Sequence, residues 1–216
     1  MAVINFDITN RFPYANGRKF GDCGPYEQVD GILTYEVNPS HEANKFIVDL
    51  PLARKNSDGN VSFTSDFTVI KPVEADRGAD IVLVELPNRG RKRVVDTLNR
   101  TGKDASGSPD PGDGFLFERG VTVASLGWQW DVYGSEVLMG LNPPIADFSG
   151  ESNAGKTVVE IRPNYQAKTW LLADRVHKPL RVKDVYDQDA SFYIKDFEDA
   201  EDVLIPRDKW SFSKET

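Results

Sequence analysis

Few residues in this chain could do chemistry, and most of them lack the neighbours their chemistry needs. Gly150-Glu151-Ser152-Asn153-Ala154-Gly155-Lys156-Thr157 satisfies G-x-x-x-x-G-K-[ST]. In a phosphate loop of that pattern, backbone N–H groups and the N-terminus of a following helix converge on the anion. Here Pro143-Pro144 stand upstream and the β-prone Val158-Val159-Glu160-Ile161-Arg162-Pro163 follows, so a polar hairpin turn is expected and nucleotide binding is a distant alternative. Gly150 to Ala154 also half-matches a nucleophile elbow, but an elbow places its serine between a buried strand and a helix. His41 and His177 have no serine or cysteine partner identifiable by spacing, and Cys23, between Asp22 and Gly24, reads as a small turn residue. The acidic run 195–202 lacks the glycine-centred ligand ladder of a calcium loop and reads as a solvated face. Neither a metal nor a cofactor is expected.

Two strand ends hold more promise. Ile81-Val82-Leu83-Val84-Glu85-Leu86 is almost continuously apolar, which suits a strand covered on both faces, and it runs into Pro87-Asn88-Arg89-Gly90. Val121 to Leu126 is a second such run and leads into Gly127-Trp128-Gln129-Trp130. Backbone N–H groups beside a glycine, with an amide and a guanidinium, are what an acyl-transfer site would use at an oxyanion. Two indoles flanking an amide could line a pocket. The competing reading is that Asn88, Arg89 and Gly90 turn the chain while Trp128 and Trp130 pack a sheet edge.

The elements that must position these residues follow from periodicity and punctuation. Residues 91–100 place Val94, Val95 and Leu98 at helical spacing, and a polar loop is expected over 101–114. A short helix at 115–119 is expected to stop at Gly120. The stretch 81–130 is therefore one β-α-β crossover, and in open α/β sheets chemistry gathers at the carboxyl ends of such strands. Before it, strands are expected at 32–37, 45–50, 61–63 and 66–70, with Asn56 to Asn60 as a hairpin tip. After it, strands are expected at 157–162, 168–173 and 191–194. The expected fold is α/β and β-dominated, a mixed sheet with one crossover and flanking antiparallel hairpins. It is organised as a single domain over 1–216, comprising an antiparallel region 1–75, the unit 80–132 and a β-rich, acid-tailed segment 135–216.

Composition narrows the function classes. In 216 residues, 34 Asp+Glu outweigh 26 Lys+Arg, for a net charge of -8, which disfavours a nucleic-acid or anionic-membrane grip. One cysteine excludes an internal disulfide. No apolar run approaches the roughly 20 residues of a bilayer span. The first residues lack a basic and an apolar signal region, so a cytoplasmic location is expected.

Several blocks together resemble the N-terminal part of a little-characterised α/β-hydrolase-domain family. They are Gly24-Pro25-Tyr26-Glu27, Asn44 to Leu50 with Ala53-Arg54, Asp66-Phe67, Leu83-Val84-Glu85-Leu86-Pro87-Asn88-Arg89-Gly90, Phe115-Leu116 with Glu118-Arg119-Gly120, Gly127-Trp128-Gln129 and Ile205-Pro206-Arg207-Asp208-Lys209-Trp210. The resemblance is collinear over nearly the whole chain, and it places 81–130 at the early strands of a hydrolase sheet. Asn88, Arg89 and Gly90 then stand on the oxyanion side, with Gly127, Trp128, Gln129 and Trp130 at the acyl or alcohol pocket. It also implies that the nucleophilic serine, in a G-x-S-x-S-G-R type elbow, lies downstream of the Ile205 to Trp210 segment, and the acid and histidine further still. The expectation is a serine-hydrolase-like, esterase-type portion without its own catalytic residues. A second chain or C-terminal half would supply the serine, and the substrate would be a small-molecule ester. The alternative is a stand-alone β-rich module that binds a ligand or a protein.

Overall fold

Two long runs of strand-forming residues organise the first part of the chain. In the computed structural model, which describes residues 1–101, 107–132, 137–149, 155–163, 165–173 and 177–213, these runs are β2 (Tyr26–Val37) and β3 (Val61–Pro72). They pair antiparallel along their full length, from Tyr26 opposite Pro72 to Val37 opposite Val61. With β1 (Ala2–Pro13), β4 (Val82–Glu85), β5 (Thr122–Leu126) and β6 (Leu141–Asn142) they form a six-stranded sheet. The order is β1-β2-β3-β5-β4, and β6 pairs with β3 alongside β5. Only β4 and β5 are parallel, so the sheet is mixed and β-dominated. The crossover between them carries the one α-helix among the described residues, α1 (Val94–Leu98). The chain falls into two units, Met1–Asn153 and Ala154–Thr216.

Strand alternation gives the sheet two distinct faces. On one, Tyr26 of β2, Ile70 of β3, Val123 of β5 and Leu83 of β4 meet Val95 of α1, Leu116 and Phe117, with Tyr14 and Phe20 closing the cluster. This is the main core. Its aromatic centre is dense: the Phe117 ring lies 5.1, 5.0 and 5.0 Å from those of Tyr14, Phe20 and Tyr26. On the other face, Val29, Leu33 and Phe67 form a smaller cluster with Tyr35, Val69 and Leu126.

Several local expectations are corrected by the structure. The apolar run at 45–50 is not a strand: Glu42–Asn44 and Leu50–Leu52 are 3-10 turns, and Phe46 and Val48 are 83% and 84% exposed. Asp49, in the left-handed region at φ 57°, and Pro51 break any ladder there. The turn at Asn56–Asn60 does form, Asn56 N–H donating to Asn60 O at 2.8 Å, but it leads into β3 rather than joining it to 45–50. The strand that pairs with β3 is β2. β1, which was not among the expected strands, is an exposed edge interrupted by irregularities at Val3/Asn5 and Ile8/Asn10, as edges often are. β4 is not covered on both faces by the described residues, since Val82 and Val84 are 60% and 57% exposed. The described part of the 101–114 loop is tied down rather than free, with Pro109 O accepting from Tyr14 Oη and Pro111 O from Asn99 Nδ2. The piece after it is a 3-10 turn at Phe117–Arg119, stopped by Gly120 at φ 72°.

In the second unit, β7 (Phe192–Ile194) and β8 (Val203–Ile205) make a two-stranded antiparallel hairpin, and the acidic run connects them. Arg207 stacks on Trp210 at 4.2 Å, and Trp210 meets Phe192 edge-on at 5.8 Å. Residues 157–162 and 168–173 are not strands. Their apolar side chains have no ladder partner, so β propensity alone does not extend them. Among the described residues no helix is long and apolar enough to cross a membrane.

Candidate functional site at the ends of the parallel strands

The crossover brings the two sequence-predicted loops to the carboxyl ends of β4 and β5. Pro87 leaves β4, Asn88–Gly90 form a 3-10 turn, and Arg89 takes a left-handed conformation at φ 55°. The loop after β5 closes against it. Trp128 Nε1 donates to Pro87 O at 3.0 Å, and the Arg89 backbone N–H donates to Gln129 Oε1. A third segment seals the junction, since Met139 N–H donates to Gly90 O at 3.0 Å and Leu141 N–H to Gln129 O at 2.9 Å. Asn88, Arg89, Gly90, Gly127, Trp128, Gln129 and Trp130 thus belong to one continuous patch. Trp128 and Trp130 remain about half exposed. The rings are therefore available to a ligand, while the Arg89 N–H is held by an amide oxygen of the chain itself.

Two glycines make this closure possible. A Cβ on Gly127 would stand 2.3 Å from Gly140 O, and one on Gly90, at φ 75°, would stand 2.6 Å from Met139 O. Gly90→Ala is therefore expected to push the 138–140 segment away and loosen both loops, at a cost of about 1–3 kcal/mol. The Trp128 indole N–H resonance reads this directly. It should move toward a solvent-exposed position in Gly90→Ala, whereas an unmoved resonance would mean that the junction tolerates the methyl.

Beneath the loops lies a feature that motif reading did not find. Strand register sets Asp30 of β2 opposite Thr68 of β3, Thr68 opposite Ser125 of β5, and Ser125 opposite Glu85 of β4. Four polar side chains therefore cross the sheet in one row, next to the apolar row of Ile70, Val123 and Leu83. Thr68 Oγ1 donates to Asp30 Oδ1 at 2.7 Å, and Ser125 Oγ to Glu85 Oε2 at 2.9 Å. Gln28 Nε2 reaches both Asp30 oxygens at 3.0 Å. Glu85 Oε1 accepts from the Arg93 and Val94 backbone N–H groups at 2.7 and 3.0 Å, holding the start of α1.

Lys92 closes the row from above. Its side chain is buried, and Nζ donates to Thr68 Oγ1 at 3.3 Å. Burial pushes the ammonium below the ordinary lysine value of 10.5, while the nearby carboxylates of Asp30, Glu85 and Asp66 pull the other way. The loop that carries Asn88–Gly90 is thus pinned at two points, by Lys92 on β3 and by Glu85 at α1. Nothing in the sequence announced this. Lys92 sits in the run Arg91-Lys92-Arg93, where its sequence gives no sign of burial, and the row exists only through strand register.

The other sequence candidates are not brought together. Gly150 to Ala154, including Ser152, lie outside the described residues, and no helix follows among Gly155–Pro163, so the context of a phosphate loop is missing there. His41 Nδ1 accepts from Ala43 N–H at 3.1 Å and caps a turn. Cys23 ends the Gly21–Cys23 turn, its thiol 3.5 Å from Glu118 O. Among the described residues no group of three or more His, Cys, Asp or Glu side chains could hold a metal ion. No family model, curated protein or solved structure matches this chain.

Proposed function

We propose that this chain is the N-terminal portion of a serine-hydrolase-like protein of esterase type, inactive alone. Its loops at Asn88–Gly90 and Gly127–Trp130 would form the oxyanion side and the acyl or alcohol pocket of a site whose serine comes from another chain or segment. The observation that carries this reading is the junction of those two loops at the carboxyl ends of the parallel pair β4 and β5. There a backbone N–H is already aimed at an acceptor oxygen, that of Gln129, where an oxyanion would otherwise sit. The outer edge of β4 supports it too, since Val82, Val84 and Leu86 are exposed on a parallel strand, an environment normally covered on both faces. A further segment packed over that face would cover them.

The isolated chain should hydrolyse no p-nitrophenyl ester and take no label from a fluorophosphonate. Mixing or co-expression with a polypeptide carrying a serine elbow should confer both, with the label on that polypeptide. Ester turnover by the isolated chain that survives Ser152→Ala would overturn the reading, as would a monodisperse, thermally robust monomer indifferent to such a polypeptide. The stand-alone binding module is favoured by one observation, the internal satisfaction of the Arg89 N–H by Gln129. It predicts the second outcome.

A further inference from the structure

Next to the loop junction, on the same sheet face as the polar row, is an open cleft of about 570 Å³. This lies within the range of small-molecule sites. Its floor is the next row of the sheet, Ile32 of β2 opposite Asp66 of β3, and its walls include Trp130, Leu138 and Leu141. Asp66 is the only charged residue among the described residues lining it. Its Oδ2 accepts from Gly140 N–H at 2.8 Å, and Oδ1 has no hydrogen-bond partner among the described residues. Behind Asp66, one buried ammonium, Lys92, faces three carboxylates, Asp30, Glu85 and Asp66. Among the described residues lining the cleft, none is cationic.

An open acceptor oxygen, an exposed indole and an apolar wall in one cleft select a particular chemistry. A neutral apolar ligand would leave Asp66 Oδ1 desolvated without a hydrogen-bond partner, and an anion would be repelled. An ammonium would satisfy the carboxylate and gain the face of Trp130. We propose that this cleft binds an organic cation, an ammonium group on an apolar body, with Asp66 as its counter-ion and Trp130 as its aromatic wall. The binding stands on the cleft alone; its meaning as a substrate subsite, the recognition of an amine-bearing ester, rests on the hydrolase reading above.

The test uses the whole chain and a pair of probes alike in shape, 2-phenylethylammonium and 2-phenylethanol. Binding is followed by calorimetry and by the indole N–H resonances at low and high salt. The cation should bind at least about tenfold more tightly than the alcohol, with the Trp130 resonance moving most and the preference shrinking with salt. Asp66→Asn keeps an oxygen for the Gly140 N–H and should abolish the preference without loss of fold. Equal affinities, a preference that survives Asp66→Asn, or no binding of either probe up to about 10 mM would overturn the proposal. None of these readings involves ester turnover, so failure of the hydrolase reading would be seen separately.

Discussion

Replacing Lys92 with methionine is expected to destabilise the Met1–Asn153 unit by about 2 kcal/mol and lower its Tm by roughly 4–8 °C. The methionine fills much of the same volume, so the loss is the hydrogen bond to Thr68 rather than a cavity. It takes the buried Lys92 ammonium away from Asp30, Glu85 and Asp66 and leaves Thr68 Oγ1 without its donor. Deleting a donor from a buried hydroxyl costs more than the hydrogen bond contributes, because buried Thr68 loses a partner that water does not replace. A scanning-calorimetry comparison checks this, and a change within about 1 kcal/mol would show the row to be solvated.

The same pair has a defined pH signature. Folded Lys92 binds its proton less tightly than the unfolded lysine at 10.5. Between those two values the unfolded chain holds the extra proton, so stability from this group rises with pH through the window and levels off above 10.5. Tyr14 and Tyr26, whose hydroxyls are pushed up by burial, act in the opposite sense at high pH. Because both chains share the tyrosines, subtracting the Lys92→Met curve isolates Lys92. The wild-type advantage should therefore widen as pH rises toward 10.5. A narrowing difference would reverse the assigned direction.

The second large effect is expected at Phe117. Phe117→Ala should cost about 3–5 kcal/mol, the range for deleting a buried aromatic ring. Phe117 is fully buried and touches Tyr14, Phe20 and Tyr26, so the cavity would open at the meeting point of three rings that cannot all collapse inward. Its carbonyl also accepts from Tyr26 Oη at 3.0 Å, so a shifted backbone would leave a buried hydroxyl unpaired. Phe117→Leu, which retains most of the volume, should cost less than about 1.5 kcal/mol by denaturant titration. Equal losses for the two variants would point to backbone disruption instead of a cavity.

The two predictions mark the boundary between what could and could not be read from the chain. Core elements with strong local signals were legible. The runs at 81–86 and 121–126 became β4 and β5, the spacing of Val94, Val95 and Leu98 became α1, and Gly120 stopped its turn as expected. The loops that follow both strands were legible as well, because a turn of Pro, Asn, Arg and Gly and a Trp-Gln-Trp run stand out against apolar neighbours. The strand expected at 45–50 failed for a physical reason. Its apolar residues suit a strand, but Asp49 and Pro51 favour tight turns, and no neighbouring strand competes for the segment. β1 was not expected, although Ile4, Phe6 and Ile8 alternate with Asn5, Asp7 and Thr9, because the alternation ends at Asn10-Arg11 and the strand pairs only on one side.

By itself, the sequence determined a β-rich, acidic chain with one crossover and two distinctive loops at its strand ends. Those features are local, set by side-chain preference and chain punctuation within a few residues. Only the tertiary structure decided that Asp30, Thr68, Ser125 and Glu85 form one row under Lys92, and that Ile32, Asp66 and Trp130 share a cleft. Both depend on register between strands distant in sequence, where a slip of one residue would turn every side chain to the opposite face. The physical reason is that charge and burial are properties of a neighbourhood, and this neighbourhood is assembled by the sheet.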